Sequence, residues 1–415
     1  MIPSLMGVVA LLLTQDTLAL TLDQATARAV AASPLIRAAE GAVLAPKGLR
    51  TESSWPFPGN PTLALDRTRR QAPPGTTRDR GWSLSQEIDL AGQWFVRRRS
   101  ASALIEAAQA RVEDTRRLVA LEARRAYLDL VIAQRRAALT DSAAFFAEHF
   151  FENARRQLDA GEINRLERNA AALEAARARS AAERARGEAA AATAALSRLL
   201  ALPMDSVPVP ISLPGIPVLS WQSDSGLVAL ARVRRPDLRA GTMFRLGAER
   251  AVTAAKLGRA PSVVASTFGG REAGTDRLQG VQLGVAIPLF HRAQASVGLA
   301  EAERAAAAAD FVAAERAVVA DVLAASARFR RAAASERRFA TEVLRAATEN
   351  VTLTERALTE GEVSVTDVLV LRGTAVAAQL EYLDVLRDAA TAWFELSAAL
   401  AVEPSALSAL LNPGH

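Results

Sequence analysis

The chain has 415 residues, half of them hydrophobic, with only 5% aromatic residues and abundant alanine. This favours long helices packed through small side chains over a core of large interlocking ones. Its 50 basic and 45 acidic residues leave a net charge of +5, but the signs interleave, as in "EARRAYLDLVIAQRR". That is the pattern of solvated helix faces, so the charge gives no reason to expect a nucleic-acid surface. There is no cysteine, which excludes disulfides, a thiolate metal site and a lipidated N-terminal cysteine. His149, His291 and His415 are scattered without the spacing that aims two imidazoles at one ion, so no metal site and no cofactor are expected.

In chain order, the N-terminus carries an apolar run from Leu5 to Leu13 and then small residues at Thr17 and Ala19. This predicts a secretory leader over residues 1–19, cut near Ala19, although no Lys or Arg precedes the run. No stretch of about 18 apolar residues follows, so an ordinary transmembrane helix is not expected. That does not exclude a membrane β-barrel.

The first half, residues 20–201, opens with "SPLIRA" and "NPTLAL". A short strand is expected over Thr62–Asp66 and a second from Trp82 to Leu90, where Trp82, Leu84, Ile88 and Leu90 alternate with Ser83, Ser85, Glu87 and Asp89, Gln86 being the exception. The charged, Gly- and Pro-rich stretch "RTRRQAPPGTTRDRG" between them reads as a loop, so residues 61–90 form one β-hairpin. A helix then runs from about Gln93 to Ala160. At about 1.5 Å per residue it extends roughly 100 Å. Val112, Val119, Ala126 and Ala133 recur at heptad spacing beside Leu121 and Leu128, a coiled-coil-like seam along which it must pack sideways. At "GEINRLE" the chain reverses. Gly161 can take φ > 0 and end the helix, Asn164 can cap the next one, and Glu167 completes a capping box. The returning arm covers about Arg165 to Leu200, followed by a Pro-rich extended linker over residues 202–221.

The second half, residues 222–402, repeats this plan. "RPDLRA" lies 202 residues after "SPLIRA", "APSVVA" 200 after "NPTLAL", and "GEVSVTD" 200 after "GEINRLE". A hairpin over residues 261–290 pairs Ser262–Phe268 with a strand whose apolar face is Val281, Leu283, Val285, Ile287 and Leu289, across "GGREAGTDRLQ". A helical hairpin over residues 293–401 follows, its tip built by Gly361, Ser364 and Asp367, with Val363 and Val368 as a hydrophobic staple; Arg168 denies the first tip that staple. Residues 403–415 are a tail. Capping explains the polar residues of both tips but leaves the exposed aliphatics Ile163 and Val363 over, which suit contacts with a partner's helices.

Four strands per chain are too few for a membrane barrel, the smallest having about eight, and an open edge cannot face lipid. For a membrane barrel several chains must pool their strands, with Trp82, Leu84, Ile88 and Leu90, and their counterparts from Val281 to Leu289, facing lipid, and with Glu87 and Asp89 lining a wet lumen; a soluble two-sheet sandwich would show the same alternation.

The whole of residues 20–402 resembles the outer-membrane efflux protein family, and in particular the outer-membrane components of cobalt, zinc and cadmium resistance pumps. The resemblance rests on "LTLDQATARAVAASPLIRAA", "NPTLAL", "SQEIDLAGQ", "AGEINRLERNAAALEA", "RRPDLRAG" and "TEGEVSVTDVLVLRGTAVAAQ". It implies a mainly α fold with a small β part: a homotrimer with a twelve-stranded outer-membrane β-barrel, continued by a tube of long helical hairpins into the periplasm. It implies a passive exit duct served by a periplasmic adaptor and an inner-membrane pump of the RND type. By resemblance, the docking and gating ends are Gly161, Glu162, Ile163, Asn164, Leu166 and Glu167, and Gly361, Glu362, Val363, Ser364, Asp367, Val368 and Leu369. The cargo class the resemblance favours is heavy-metal cations, with drug efflux and type I protein secretion as the alternatives.

The rival from another class is a secreted coiled-coil stalk, for which heptads and mixed charge suffice; the strand pairs argue against it. An enzyme is not expected, since the sequence has no nucleophile elbow, phosphate-binding glycine loop or ligand cluster, and no catalytic residue is assigned.

Overall fold

The computed structural model describes residues 16–72, 75–203, 206–213, 215–221, 223–273, 275–359 and 365–411. The chain divides into two compact units, and the division does not follow the sequence repeats. One unit takes the residues up to Pro34, Arg116–Arg234 and the residues from Val318 onward, the other Leu35–Thr115 and Arg235–Ala317, so each draws matching stretches from both repeats. The cause is the length of the helices, two of which contribute to both units.

The first unit begins with strand β1 (Asp16–Leu20) and helix α1 (Leu22–Ala32), whose N-cap Thr21 forms a complete capping box with Gln24. β1 pairs in parallel with β4 (Ser206–Pro210). The expected linker is thus extended, as its prolines require, but it is also a pairing partner; each strand of this two-stranded sheet is an edge, where proline is tolerated. The expected leader cut near Ala19 falls inside β1 and removes four of its five residues. Residues 1–15 of the expected leader lie outside the described residues.

The paired strands rest on a core of Leu20, Ala25, Ala29, Ala123, Tyr127, Leu130, Val131, Leu196 and Leu200. Tyr127 is fully buried, and its hydroxyl proton is shared between the carbonyls of Leu20 and Ser212, each at 3.1 Å. One aromatic side chain therefore ties the N-terminal strand and the segment after β4 to the long helix α4 (Gln93–Asp159). The unit also contains α5 (Arg165–Leu199), α6 (Asp224–Arg234), and, after α8 (Gln294–Arg338), the helices α9 (Arg345–Thr359), α10 (Val365–Ala399) and α11 (Pro404–Leu411). The expected unbroken helix to Glu360 is interrupted by a π-helical stretch, Phe339–Leu344, which has no counterpart in α4.

The second unit holds α2 (Pro34–Ala42), α3 (Leu44–Glu52), α7 (Pro236–Leu257), the beginnings of α4 and α8, and a four-stranded sheet. Its strands are β2 (Thr62–Ala72), β3 (Gly75–Ile88), β5 (Val263–Glu272) and β6 (Asp276–Val285), all antiparallel in the order β2-β3-β5-β6. The two hairpins are thus one sheet, joined through β3 and β5. The strands are longer than expected. The charged segments that read as loops are paired almost to the turns, because a ladder needs only backbone groups, and both faces there are exposed enough for Arg and Thr. Helix α4 approaches α7 closely, the Ser100 hydroxyl donating to the Gly247 carbonyl at 2.8 Å.

The duplication persists in the backbone. Ala201 and Ala401, just past the ends of α5 and α10, both have positive φ (48° and 50°), and Gly92 and Ala293, just before α4 and α8, do so too (73° and 55°). Nothing in the residue type marks the three alanines for this conformation, which disfavours a Cβ.

Candidate functional site: the helical tip and the sheet face

The tip between α4 and α5 follows from its sequence residue by residue. Gly161 has φ +76°. Its N–H donates to the Leu158 carbonyl at 3.0 Å, and that of Glu162 to the Gln157 carbonyl at 2.9 Å, the paired bonds of a Schellman termination. Asn164 then accepts from the Glu167 N–H at 3.0 Å while the Glu167 carboxylate accepts from the Asn164 N–H at 2.9 Å. Two carbonyls at the end of α4 and two N–H groups at the start of α5, which helix ends would leave open, are thus satisfied. The aliphatic expected to stand out, Ile163, is half-buried; Leu166, 78% exposed, is the apolar side chain that stands out at this tip. Ile163 lies in the turn itself, whereas Leu166 lies on the solvent face of the first turn of α5. At the second tip, Gly361, Glu362, Val363 and Ser364 lie outside the described residues, as does the expected staple. Asp367 falls in the first turn of α10 and is exposed, Val368 is buried, and Leu369 is in the same helix.

In the sheet, strand register brings the expected rows together. Residues directly paired share a face. Leu63 and Leu65 of β2, Trp82, Leu84 and Ile88 of β3, Val263 and Ala265 of β5, and Val281, Leu283 and Val285 of β6 all lie on one face. It is open to solvent in the isolated chain, with Leu65 at 78% and Val281 at 79% exposure. Trp82 lies over Gly269, where an added Cβ would meet the indole nitrogen at 2.9 Å. Leu90, Ile287 and Leu289 are exposed but lie past the ends of β3 and β6, so strand alternation does not set their direction.

The opposite face carries Thr62, Ser83, Ser85, Glu87, Ser266 and Gln282. On it Arg70 is held between Asp79 (3.1 Å) and Glu272. Glu87 is exposed there. The pairing of Glu87 with Asp89 does not carry over: Asp89 lies past the end of β3, and its carboxylate accepts from the backbone N–H groups of Ala91 (2.9 Å) and Trp94 (3.1 Å) at the head of α4. Sequence alternation missed this because a carboxylate four residues ahead of a helix satisfies a cap as readily as a strand face.

Among the described residues no group of His, Asp or Glu is arranged to hold a metal ion, and no single helix is long and apolar enough to cross a membrane.

A duplicated helical hairpin with one apolar-faced sheet is an arrangement already seen in solved structures. The family model described as "Outer membrane efflux protein" matches residues 60–202 and 227–402. The chain belongs to the outer membrane efflux protein family. It is accordingly an outer-membrane efflux channel with a periplasmic helical extension, and the family is one of channels rather than enzymes. Similar solved structures include a membrane protein from Pseudomonas aeruginosa (TM-score 0.76, 20% identity, covering 91% of this chain and 93% of that one). Others are the outer-membrane protein VceC of Vibrio cholerae (0.74, 16%, 92% and 96%) and the open state of the outer-membrane channel MtrE of Neisseria gonorrhoeae (0.75, 18%, 92% and 89%). At these identities the likeness is one of fold. No curated protein matches the chain.

Proposed function

We propose that three copies of this chain assemble into the exit duct of a tripartite pump, each supplying its four strands to a twelve-stranded barrel. The observation that carries this reading is the sheet. β2 and β6 are open edges, and one face is apolar and uncovered, a combination that neither water nor lipid tolerates in a single chain. Closing the sheet with other copies removes both problems.

In this reading the helical tips dock a periplasmic adaptor, with Leu166 as the aliphatic contact of the first tip, and an RND-type inner-membrane pump supplies the energy. Leader cleavage is placed before Asp16, so that β1 survives to pair with β4. The cargo proposed is heavy-metal cations. Three Glu87 carboxylates would ring the lumen and favour cations.

Single-channel recording of the purified protein in planar bilayers tests the duct, with discrete conductance expected. Glu87→Gln is expected to lower the cation-to-anion permeability ratio severalfold, since three carboxylates are lost at once. Channels of unchanged selectivity would remove Glu87 from the lumen, and trimers without conductance would return the coiled-coil stalk.

A further inference from the structure

The face that carries the apolar rows also carries an arginine row. Arg67 of β2 pairs directly with Arg80 of β3, Arg80 with Arg271 of β5, and Arg271 with Arg277 of β6, so four guanidinium groups stand side by side across the whole sheet. One row nearer the turns, Arg69 pairs with Arg78. All six are exposed, and none has an ion pair or side-chain hydrogen bond among the described residues. No Asp or Glu occupies this face of any of the four strands. On the other face the same sheet does neutralise its arginine, Arg70, with two carboxylates.

Neighbouring strands are about 4.8 Å apart, so the row sets like charges opposite one another three times in succession, a pairing that destabilises a sheet. Such a row is relieved by an external anion. The anion's chemistry is constrained by what lies beside it. The adjacent row toward the helices is Leu65, Trp82, Gly269 and Gln279, and the next holds Leu63, Leu84 and Val281. Same-face rows are about 7 Å apart. A ligand in register with this face therefore joins phosphate-like charge to hydrocarbon within that distance, which suits an amphiphile and not a nucleic acid. The arginines lie on the turn side of the apolar rows, away from the sheet ends that lead into α3, α4, α7 and α8.

We propose that Arg67, Arg80, Arg271 and Arg277, seconded by Arg69 and Arg78, bind the phosphate groups of lipids in the outer leaflet. Guanidinium is suited to this because its planar fork makes bidentate bonds to phosphate oxygens. The proposal rests on the reading that the apolar face meets lipid.

The test offers the full-length protein, in neutral detergent, an equimolar mixture of bisphosphorylated lipid A and its dephosphorylated counterpart with the same acyl chains. Bound lipid is counted by native mass spectrometry. The wild type should prefer the phosphorylated lipid by about tenfold or more, a preference that collapses in high salt. R67Q/R80Q/R271Q/R277Q should reduce it to below about threefold, while R70Q on the other face leaves it unchanged. Equal binding of the two lipids by the wild type overturns the proposal whether or not the variant folds, and so does loss of all bound lipid, rather than of the phosphorylated preference alone, to inorganic phosphate at matched ionic strength. Because the chain lacks cysteine, Leu283→Cys gives a single site for a bimane label in vesicles with brominated acyl chains. Absent quenching would sink the lipid-facing reading itself; quenching without headgroup preference would sink the arginine row alone.

Discussion

Replacing Gly161 isolates what the tip contributes. Its φ of +76° lies where an L side chain costs about 1–2 kcal/mol, so Gly161→Ala should favour local opening of the turn by about that amount. At about 1.4 kcal/mol per factor of ten, hydrogen exchange of the Glu162 amide, bonded to the Gln157 carbonyl, should accelerate roughly 5–30-fold. Proline is worse, because its φ is fixed near about −65° and it deletes the N–H that binds the Leu158 carbonyl. With a penalty of about 3 kcal/mol or more, Gly161→Pro should expose the whole turn, roughly a hundredfold in exchange, and abolish complementation in an efflux assay while trimers still form. Leu166→Asp serves as the counterpart. Leu166 is 78% exposed and caps nothing, so its replacement should leave exchange unchanged yet also abolish complementation. Wild-type exchange in Gly161→Pro would refute the strain argument. Wild-type efflux in both variants would refute docking at this tip.

Two further predictions concern the first unit. Tyr127→Phe keeps the ring in the core but removes the hydroxyl donor from the Ser212 carbonyl and leaves that of Leu20 only the Ile211 N–H, which should cost about 1–3 kcal/mol. Limited proteolysis should then cut residues 206–213 faster in the variant, and equal rates would mean that the hydroxyl ties nothing down. Asp224 accepts from the Trp221 indole N–H at 2.8 Å and pairs with Arg330 at 2.8 Å, and these, the indole bond foremost, hold its carboxyl below the usual carboxylate range. A depressed folded-state pKa contributes stability above the unfolded value, lost as pH falls through the folded one. Protection of the α6 amides should therefore decline below about pH 4 in the wild type, whereas Asp224→Asn should be flat across that range; a wild-type profile equally flat would contradict the coupling.

Much of this molecule was legible from the residues alone, wherever the determinant is local. Helix ends at Asp159 and Arg165 fall within one residue of expectation, because left-handed glycine and reciprocal caps act over seven residues or fewer; those at Leu199 and Ala399, just before positive-φ alanines, fall within two. Apolar alternation likewise fixed which residues of β3 and β6 share a face. It did not mark where those strands end, and so it overextended them to Leu90 and Leu289 and misread Asp89, whose partners are helix amides. The charged stretches around Arg67–Arg70 and Arg78–Arg80 read as loops for the same reason: composition suggests solvent, while ladder pairing depends on a partner's backbone.

What only the tertiary structure decided is long-range. The union of both hairpins into one sheet, the pairing of β1 with β4, and the grasp of Tyr127 on carbonyls 107 and 85 residues away depend on contacts that no local pattern encodes. The arginine row is the plainest case. Each of its four members is an ordinary charged residue in its own strand, and only the register of three separate strand pairings sets them in line, because a shift of one residue in any pairing would move an arginine to the opposite face.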